Sequence, residues 1–291
     1  MEDRSPSPPW PPPAPPPTQY TVLFSEPADQ LPAPLPSVDE IKDSTDVLTK
    51  GWAGWGRCAV RVGEHFVVKY GADVEPSESD NMIFARQHLK GLVFVPRVFA
   101  VYQQPNPNSS KNTTYIIMEY FNGRQLDDAW GTMDESKRLN AVGILRDALQ
   151  LLRNLPAPDY FGGLGMTKLG DDIFDTIEPD PVRNGPFKTE EELINAIILR
   201  YRDESRNNVL CHKTDYYAHV LPQLMKGNGK SVFTHGDLQR KNIMIGDGGE
   251  IAILDWAIAW KDDWHSYIPK FLDEYPGHHI WLYIIRLEMW S

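Results

Sequence analysis

Cysteine is nearly absent from this chain, because Cys58 and Cys211 are the only two among its 291 residues. Two cysteines are too few for a disulfide framework or for a structural zinc site. Both are therefore predicted to be reduced packing residues.

Basic residues are outnumbered by acidic ones, 29 against 40, which gives a net charge of -11. This balance argues against a phosphate backbone or an anionic membrane as a partner. Long apolar runs are also missing, since no window reaches the roughly 18 apolar residues of a membrane span. The first residues, MEDRSPSPPW, lack the apolar core of a secretory signal. We expect a cytoplasmic protein that binds neither nucleic acid nor membrane.

Proline, by contrast, is abundant at the N-terminus, where residues 1–36 hold 13 of the 25 prolines. Proline has no amide donor and a fixed φ, so we predict a disordered, proline-rich leader over residues 1–44. Its P-x-x-P spacings allow two interpretations, a solvated tail or a ligand for an SH3 or WW module.

The rest of the chain changes character near residue 122. Residues 45–121 contain segments rich in Val, Ile, Phe and Tyr that predict strands, with one helix over residues 78–89 and Ser77 as its N-cap. Residues 122–291 show helical periodicity instead. The predicted fold class is α+β, with a β-rich N-terminal lobe and a mostly helical C-terminal lobe.

Capping signals mark the starts of two of these C-terminal helices. A Thr132-x-x-Glu135 capping box precedes a helix whose apolar face begins at Leu139, and Thr189 with Glu192 precedes a second one. A last apolar helix is predicted over residues 278–290.

The most informative stretch is THGDLQRKNIMIGDGGEIAILDWA, residues 234–257, in which two apolar runs flank a glycine-rich turn. This pattern predicts a tight β-hairpin. A Gly248-Gly249 turn would place Asn242 opposite Asp255, whereas an Asp247-Gly248 turn would place it opposite Ile253. In either register Asp255 lies within a residue or two of Asn242.

The polar residues of this stretch suggest phosphoryl-transfer chemistry. The Asn242 amide oxygen and the Asp255 carboxylate would form a hard-oxygen pocket of the kind that Mg²⁺ prefers. Asp237 would lie in a loop over the same end of the hairpin, where a carboxylate can accept the proton of a substrate hydroxyl. Taken singly, these residues are also typical of caps and turns, but that interpretation does not predict their joint spacing.

His235, Asp237 and Asn242 in HGDLQRKN, followed by Asp255 in LDW, resemble the catalytic loop and metal-binding Asp of the protein-kinase-like superfamily. The chain is most similar to the branch of aminoglycoside phosphotransferases and choline kinases, which carries His-Gly-Asp. The resemblance covers about residues 45–291 and implies a bilobal kinase-like fold with ATP or GTP as phosphoryl donor. It implies that Asp237 is the catalytic base and that His235 braces the loop.

Upstream segments agree with the resemblance in the expected order. FVVKYG looks like the strand that carries a phosphate-binding lysine, here Lys69. An acid must hold such a lysine in place, and Glu78 and Asp80 both compete for that role. The spacing from Glu78 to Met82 resembles the family's helix start and favours Glu78.

Two further segments are implied to contact the nucleotide. GWAGWGR would arch over phosphates through backbone N–H groups, with Gly54 and Gly56 as candidate contacts. YIIMEYF resembles the strand leading into the adenine-binding hinge, with Met118, Glu119 and Tyr120 as candidates.

The implied activity is Mg²⁺-dependent phosphoryl transfer to a small-molecule hydroxyl. Between Asp255 and the end only 36 residues remain, too few for an activation loop and a full protein-docking lobe. Acidic residues cluster in two segments, and they suit either a cationic acceptor or a solvated face. They are Asp171, Asp172, Asp175, Glu178, Asp180, Asp262, Asp263, Asp273 and Glu274. The alternative function is a catalytically inactive kinase-like scaffold that only binds a nucleotide or a partner.

Overall fold

The computed structural model describes residues 20–50, 56–107, 109–170, 178–206, 229–256 and 260–262, together with 174, 176, 215, 218, 219 and 221–223. The helix predicted over residues 278–290 lies outside these described residues. No helix within them is long and apolar enough to cross a membrane.

The N-terminal lobe is built on a six-stranded sheet in the order β1-β5-β6-β4-β3-β2. All of its strand pairs are antiparallel. The strands are β1 Thr21–Ser25, β2 Val47–Lys50, β3 Cys58–Val62, β4 Phe66–Gly71, β5 Val98–Gln104 and β6 Thr113–Glu119. Residues such as Val68 and Ile117 are fully buried, which explains why β-branched side chains dominate the central strands.

The leader prediction is wrong for residues 20–44. Strand β1 pairs with β5, and helix α1, Val38–Asp43, begins with a capping box formed by Ser37 and Glu40. The prolines of this region, at 27, 32, 34 and 36, all fall outside the strand and the helix. They therefore remove no hydrogen bond from either element. Residues 1–19 lie outside the described part of the chain.

Helix α2, Ser77–Leu89, is present where the sequence predicts it, but its N-cap is Pro76 and makes no side-chain cap bond. Ser77 is therefore the first helical residue, which corrects the prediction that it is the N-cap. The helix ends at Leu89, its C-cap Lys90 is left-handed with φ 50, and Gly91 follows with φ 80. Its inner face buries Met82, Ala85 and Leu89 among other residues.

The described part of the C-terminal lobe contains the two longest helices, α4 and α6, and five short strands in two small sheets. Its helices are α3 Leu126–Trp130, α4 Glu135–Arg153, α5 Pro181–Asn184 and α6 Glu190–Arg206. Its strands are β7 Arg124–Gln125, β8 Ser231–Phe233, β9 Ile243–Ile245, β10 Ile251–Ile253 and β11 Trp260–Asp262. Strand β9 lies between β10 and β7, and β11 pairs with β8.

The cap of α4 also differs from the prediction. Asp134 is the N-cap and accepts a hydrogen bond from the Lys137 N–H, while the Thr132 hydroxyl donates to the Ala129 carbonyl. Leu139, predicted on the apolar face, is 55% exposed. The predicted cap of α6 is confirmed, because the Thr189 hydroxyl oxygen accepts from the Glu192 N–H at 3.2 Å.

One apolar cluster connects the two lobes. It contains Met82 and Leu89 of α2, Ile116 of β6, Leu145 of α4 and the buried Trp256. Two further clusters fill the N-terminal lobe and the helical region around α6. Because the shared cluster packs α2 and the β9–β10 hairpin together, polar groups at its edge are held in fixed relative positions.

Candidate active site

Lys69, Glu78 and Asp255 meet at the edge of the shared cluster. The Lys69 Nζ lies 2.7 Å from both carboxylate oxygens of Glu78 and 2.5 Å from the Asp255 Oδ1. Strand β4 supplies the lysine, helix α2 the glutamate, and the segment just after β10 the aspartate. The predicted choice of Glu78 over Asp80 agrees with this geometry, because Asp80 is exposed.

Burial and charge act against each other in this cluster. Burial alone lowers the pKa of Lys69, but the carboxylates of Glu78 and Asp255 outweigh it and raise that pKa above its ordinary value. Burial raises the pKa of Glu78, and Lys69 only partly opposes the shift. Burial also acts to raise the pKa of Asp255, but Lys69 outweighs it and the pKa is lowered. Asp255 is therefore the more strongly ionised of the two carboxyl groups.

The hairpin register differs from both sequence-based alternatives. Ile243 pairs with Ile253 and Ile245 with Ile251, and the Gly246 N–H donates to the Glu250 carbonyl at 2.9 Å. The turn therefore has three residues, Asp247, Gly248 and Gly249, and the last is left-handed with φ 89. Asn242 lies opposite Leu254, whose N–H donates to the Asn242 carbonyl at 2.8 Å. Asp255 follows one residue later, as the looser expectation required.

His235 links the loop after β8 to the end of this hairpin. Its Nε2 donates to the Leu254 carbonyl at 2.7 Å, and its Nδ1 accepts from the Asp237 N–H at 3.3 Å. The ring is 1% exposed, and burial lowers the pKa of His235. A neutral imidazole satisfies both bonds, which matches a bracing position rather than that of a proton acceptor.

The Asp237 carboxylate is held by two side-chain amides. The Asn242 Nδ2 donates to the Asp237 Oδ2 and to its carbonyl, each at 2.9 Å, and the Gln239 Nε2 donates to the Asp237 Oδ1. The Lys241 Nζ lies 4.0 Å from the Oδ2. Sequence reasoning missed Gln239 and Lys241. Both lie in the loop that joins Asp237 to Asn242, and this position could have indicated that their side chains are close to the Asp237 carboxylate.

Asn242 and Asp255 are suited to a hard cation by their donor atoms. Both hydrogens of the Asn242 amide nitrogen go to Asp237, which leaves its oxygen free of that contact. Lys69 contacts only the Oδ1 of Asp255, whose side chain is 35% exposed. Among the described residues no group of three or more His, Cys, Asp or Glu side chains could hold a metal ion. The predicted site has only two protein ligands, the Asn242 amide and the Asp255 carboxylate, so it is not a group of that kind.

The predicted hinge residues lie at the end of strand β6, with Tyr120 one residue beyond it. Met118 is nearly buried within the sheet, paired with Val67 and Val98. The Glu119 N–H donates to the Arg97 carbonyl at 2.8 Å and the Tyr120 N–H to the His65 carbonyl at 2.9 Å. Both backbone donors are therefore used within the lobe itself.

The predicted glycine loop is described only in part. Gly54 lies outside the described residues. The Gly56 N–H donates to the Asp73 Oδ2 at 3.0 Å, so this amide already has a carboxylate partner. Arg57 follows, and its Nε donates to the Asp73 carbonyl at 2.9 Å. Its positive charge also acts to lower the pKa of both Glu78 and Asp255.

The profile of the APH phosphotransferase enzyme family matches residues 52–265, which span all of the site residues above. The chain belongs to this family. No curated protein sequence matches it significantly.

Solved structures similar to this phosphotransferase include aminoglycoside phosphotransferases. One is a thermostable mutant of APH(4)-Ia with AMP-PNP and hygromycin B, with 17% identity, a TM-score of 0.55, and coverage of 86% of this chain and 80% of that chain. The APH(4)-Ia structure without a named ligand has 18% identity to this chain and a TM-score of 0.55, and the match again covers 86% of this chain and 80% of that chain. The complex of APH(2")-IIa with streptomycin and ATP has 11% identity and a TM-score of 0.50, and the match covers 84% of this chain and 75% of that chain. The predicted bilobal, kinase-like α+β fold is thus confirmed.

Proposed function

We propose that this phosphotransferase transfers the γ-phosphoryl group of ATP or GTP to a hydroxyl group of a small molecule. The observation that carries the proposal is the convergence of two groups of residues on one hairpin. Lys69, which Glu78 holds, reaches Asp255 just beyond the hairpin, and the loop of His235 and Asp237 is bonded to Leu254 and Asn242 next to the ends of its two strands. Each lobe therefore contributes one half of a phosphoryl-transfer site.

Lys69 is proposed to bind the nucleotide phosphates. Glu78 contacts the ammonium group through both carboxylate oxygens, so the lysine is oriented before any ligand arrives. A preoriented charge loses little conformational freedom on binding. The N–H groups of Glu119 and Tyr120 already bond to carbonyls of the lobe. The next backbone N–H along the hinge that could bind adenine or guanine is therefore that of Phe121.

Asp237 is proposed to accept the proton of the acceptor hydroxyl. The hydroxyl oxygen attacks the γ-phosphorus, the bond from that phosphorus to the β–γ bridging oxygen breaks, and the nucleoside diphosphate leaves with the electron pair. The released proton goes to a carboxylate oxygen of Asp237. Asn242 and Gln239 hold that carboxylate from the protein side, so the side chain is aimed before the substrate binds.

Asn242 and Asp255 are the residues that would hold Mg²⁺ in this proposal. The ion, when bound, supplies neutralisation of the charge that develops on the phosphate oxygens. Two protein ligands with substrate phosphates and water are the arrangement that Mg²⁺ commonly takes. The lowered pKa of Asp255 keeps its carboxylate ionised for this role at neutral pH.

A cationic acceptor is the proposed substrate class. It is supported by the two complexes above, whose proteins bind the aminoglycosides hygromycin B and streptomycin. The net charge of -11 points the same way. Of the two acidic segments, Asp180 caps α5 and pairs with Arg183, so it already has a structural role. Apart from Glu178, the other acids of these segments lie where side chains are not described.

The first test compares Asp237→Asn with Asp247→Asn, which changes an exposed acid in the hairpin turn. We expect the first variant to lose at least about 100-fold in turnover, because its amide cannot accept the proton, and to keep its affinity for ATP. The second should match the wild type in both. Acceptors are found by screening amine-bearing hydroxyl compounds for nucleotide consumption.

A thermal-shift series with ATP and GTP, each with and without Mg²⁺, separates the enzyme from a kinase-like scaffold. Metal-dependent stabilisation supports the proposal. Stabilisation that ignores the metal, or none at all, favours the scaffold. Equal nucleotide consumption by wild type and Asp237→Asn would show that Asp237 is not the base.

A further inference from the structure

Asn81 is a buried amide on α2 that no step of the proposed chemistry uses. It lies three residues after Glu78 and is 2% exposed. Its Nδ2 donates to the Trp256 carbonyl at 2.9 Å. The helix that carries the partner of Lys69 is therefore bonded directly to the chain that follows Asp255.

Asp255 has a backbone conformation that needs such support. Its φ of 64 is left-handed, which is unfavourable for a residue with a Cβ unless the surroundings hold it there. The carbonyl before it, of Leu254, accepts from His235, and the carbonyl after it, of Trp256, accepts from Asn81. Two buried side chains from different elements thus hold the peptide group directly before Asp255 and the one that follows Trp256, one residue further along.

An amide at position 81 is not explained by stability. The Asn81 Oδ1 is buried and has no hydrogen-bond partner within the described residues. A buried acceptor without a partner is unfavourable, and asparagine is a poorer helix former than leucine. The contact with Trp256 is what the amide provides and an apolar side chain of similar size does not.

We propose that Asn81 is a positioning residue that aims the Asp255 carboxylate at Lys69 and at the metal–nucleotide complex. This inference rests on the proposed function. Asn81 touches neither substrate nor metal; it acts through the Trp256 carbonyl on the orientation of Asp255. It makes α2 responsible for two alignments, that of Lys69 through Glu78 and that of Asp255 through Asn81.

The test is Asn81→Leu, with Ser79→Ala as the matched control. Ser79 is also a buried polar residue of α2, at 3% exposure, but its hydroxyl donates to the Pro76 carbonyl of the same turn. Asn81→Leu removes the partnerless buried oxygen of Asn81 and, in exchange, takes from the Trp256 carbonyl the donor that Asn81 supplies. Its thermal stability should therefore stay close to that of the wild type.

Titrations with ATP in the presence and absence of Mg²⁺ measure the effect on the site. For Asn81→Leu we expect affinity with Mg²⁺ to fall about fivefold, the factor that corresponds to one hydrogen bond of about 1 kcal/mol, and affinity without Mg²⁺ to be unchanged. Amide hydrogen exchange in residues 251–256 should rise in this variant. Ser79→Ala should change none of these readouts.

Three outcomes would overturn the inference. They are unchanged Mg²⁺-dependent affinity in Asn81→Leu, an equal loss of affinity with and without Mg²⁺, and an equal effect of Ser79→Ala. If Asn81→Leu does not fold, Asn81→Ser, whose shorter side chain cannot reach the Trp256 carbonyl, is measured instead. If the wild type shows no Mg²⁺-dependent nucleotide binding, the proposed function is wrong, and the role of Asn81 falls with it.

Discussion

Replacing Lys69 by methionine should destabilise the protein because it leaves the Glu78 carboxylate buried without the cation that contacts both of its oxygens. The Glu78 side chain is 7% exposed, so water cannot replace the ammonium group. Removing one partner of a buried ion pair typically costs about 3–5 kcal/mol. Asp255 loses the same cation, but its side chain is 35% exposed, so water can solvate the carboxylate.

Proton uptake by Glu78 limits this loss. From its ordinary pKa of 4.5, keeping the carboxyl protonated at about pH 7.5 costs about 4 kcal/mol, at about 1.36 kcal/mol for each pH unit. At about pH 5 protonating the carboxyl costs less than about 1 kcal/mol, so the loss of stability cannot exceed that amount. Burial raises the pKa of Glu78 in the folded state, so the folded variant binds the proton first and regains stability as the pH falls. The expected loss is thus about 3–4 kcal/mol at about pH 7.5, and most of it disappears at about pH 5.

Urea unfolding at both pH values, together with ATP titrations, tests this expectation. The double variant Lys69→Met/Glu78→Leu should be within about 1 kcal/mol of the wild type, because a buried ion pair is replaced by apolar groups. Both variants should lose phosphate-dependent nucleotide affinity. Lys137→Met serves as a control, since its ion pair with Asp134 is 3.8 Å long and exposed. A single variant as stable as the wild type, or a double variant no more stable than the single one, would refute the reasoning.

Two further predictions concern the loop and the hairpin. Since burial lowers the pKa of His235 in the folded state, the unfolded chain binds the proton first as the pH falls through 6.5. The unfolding free energy should therefore fall below about pH 6.5, by up to about 1.4 kcal/mol per unit, and His235→Gln should lack this part of the slope in urea titrations. Gly249→Ala should cost about 1 kcal/mol in thermal unfolding, because its φ of 89 is left-handed although an added Cβ meets no atom within 4 Å. Gly248→Ala should cost less, because its added Cβ meets only the flexible end of Glu250; the opposite order would contradict the role of φ.

The chemistry-bearing residues were predictable because their types and spacing are unusual together. The pairing of Lys69 with Glu78 was implied by the resemblance of their strand and helix to those of the family, and the two side chains are in contact. The hydrogen bonds of His235 were not predicted individually, but a bracing position was. Their catalytic and metal-binding roles stay predictions until the variants above are measured.

The hairpin shows where such prediction stops. Glycines at 248 and 249 are compatible with turns of two or three residues, and each choice shifts the register by one. The observed turn has three, with only Gly249 left-handed. Similarly, Ser77 and Thr132 are good capping residues by type, but Pro76 and Asp134 are the N-caps because packing decides where each helix begins.

The prediction of a disordered leader was wrong for residues 20–44 for another physical reason. Prolines identify where regular hydrogen bonding is interrupted, but they do not exclude a strand between them. Phe24 and its neighbours pair with β5, and Arg97 reaches back to Glu26 and Gln30. A pairing between segments so distant along the chain leaves no local signal in either of them.

The division into a β-rich and a helical lobe, the resemblance to the phosphotransferases, and most polar residues of the candidate site were evident from the sequence alone. These depend on residue type and short spacings, which local physics makes informative. The hairpin register, the left-handed Asp255 and the bond from Asn81 to Trp256 became visible only in the folded protein. Each depends on how elements far apart in the chain pack together, since a polar group at a packed edge takes its partner from whichever element the core brings near it.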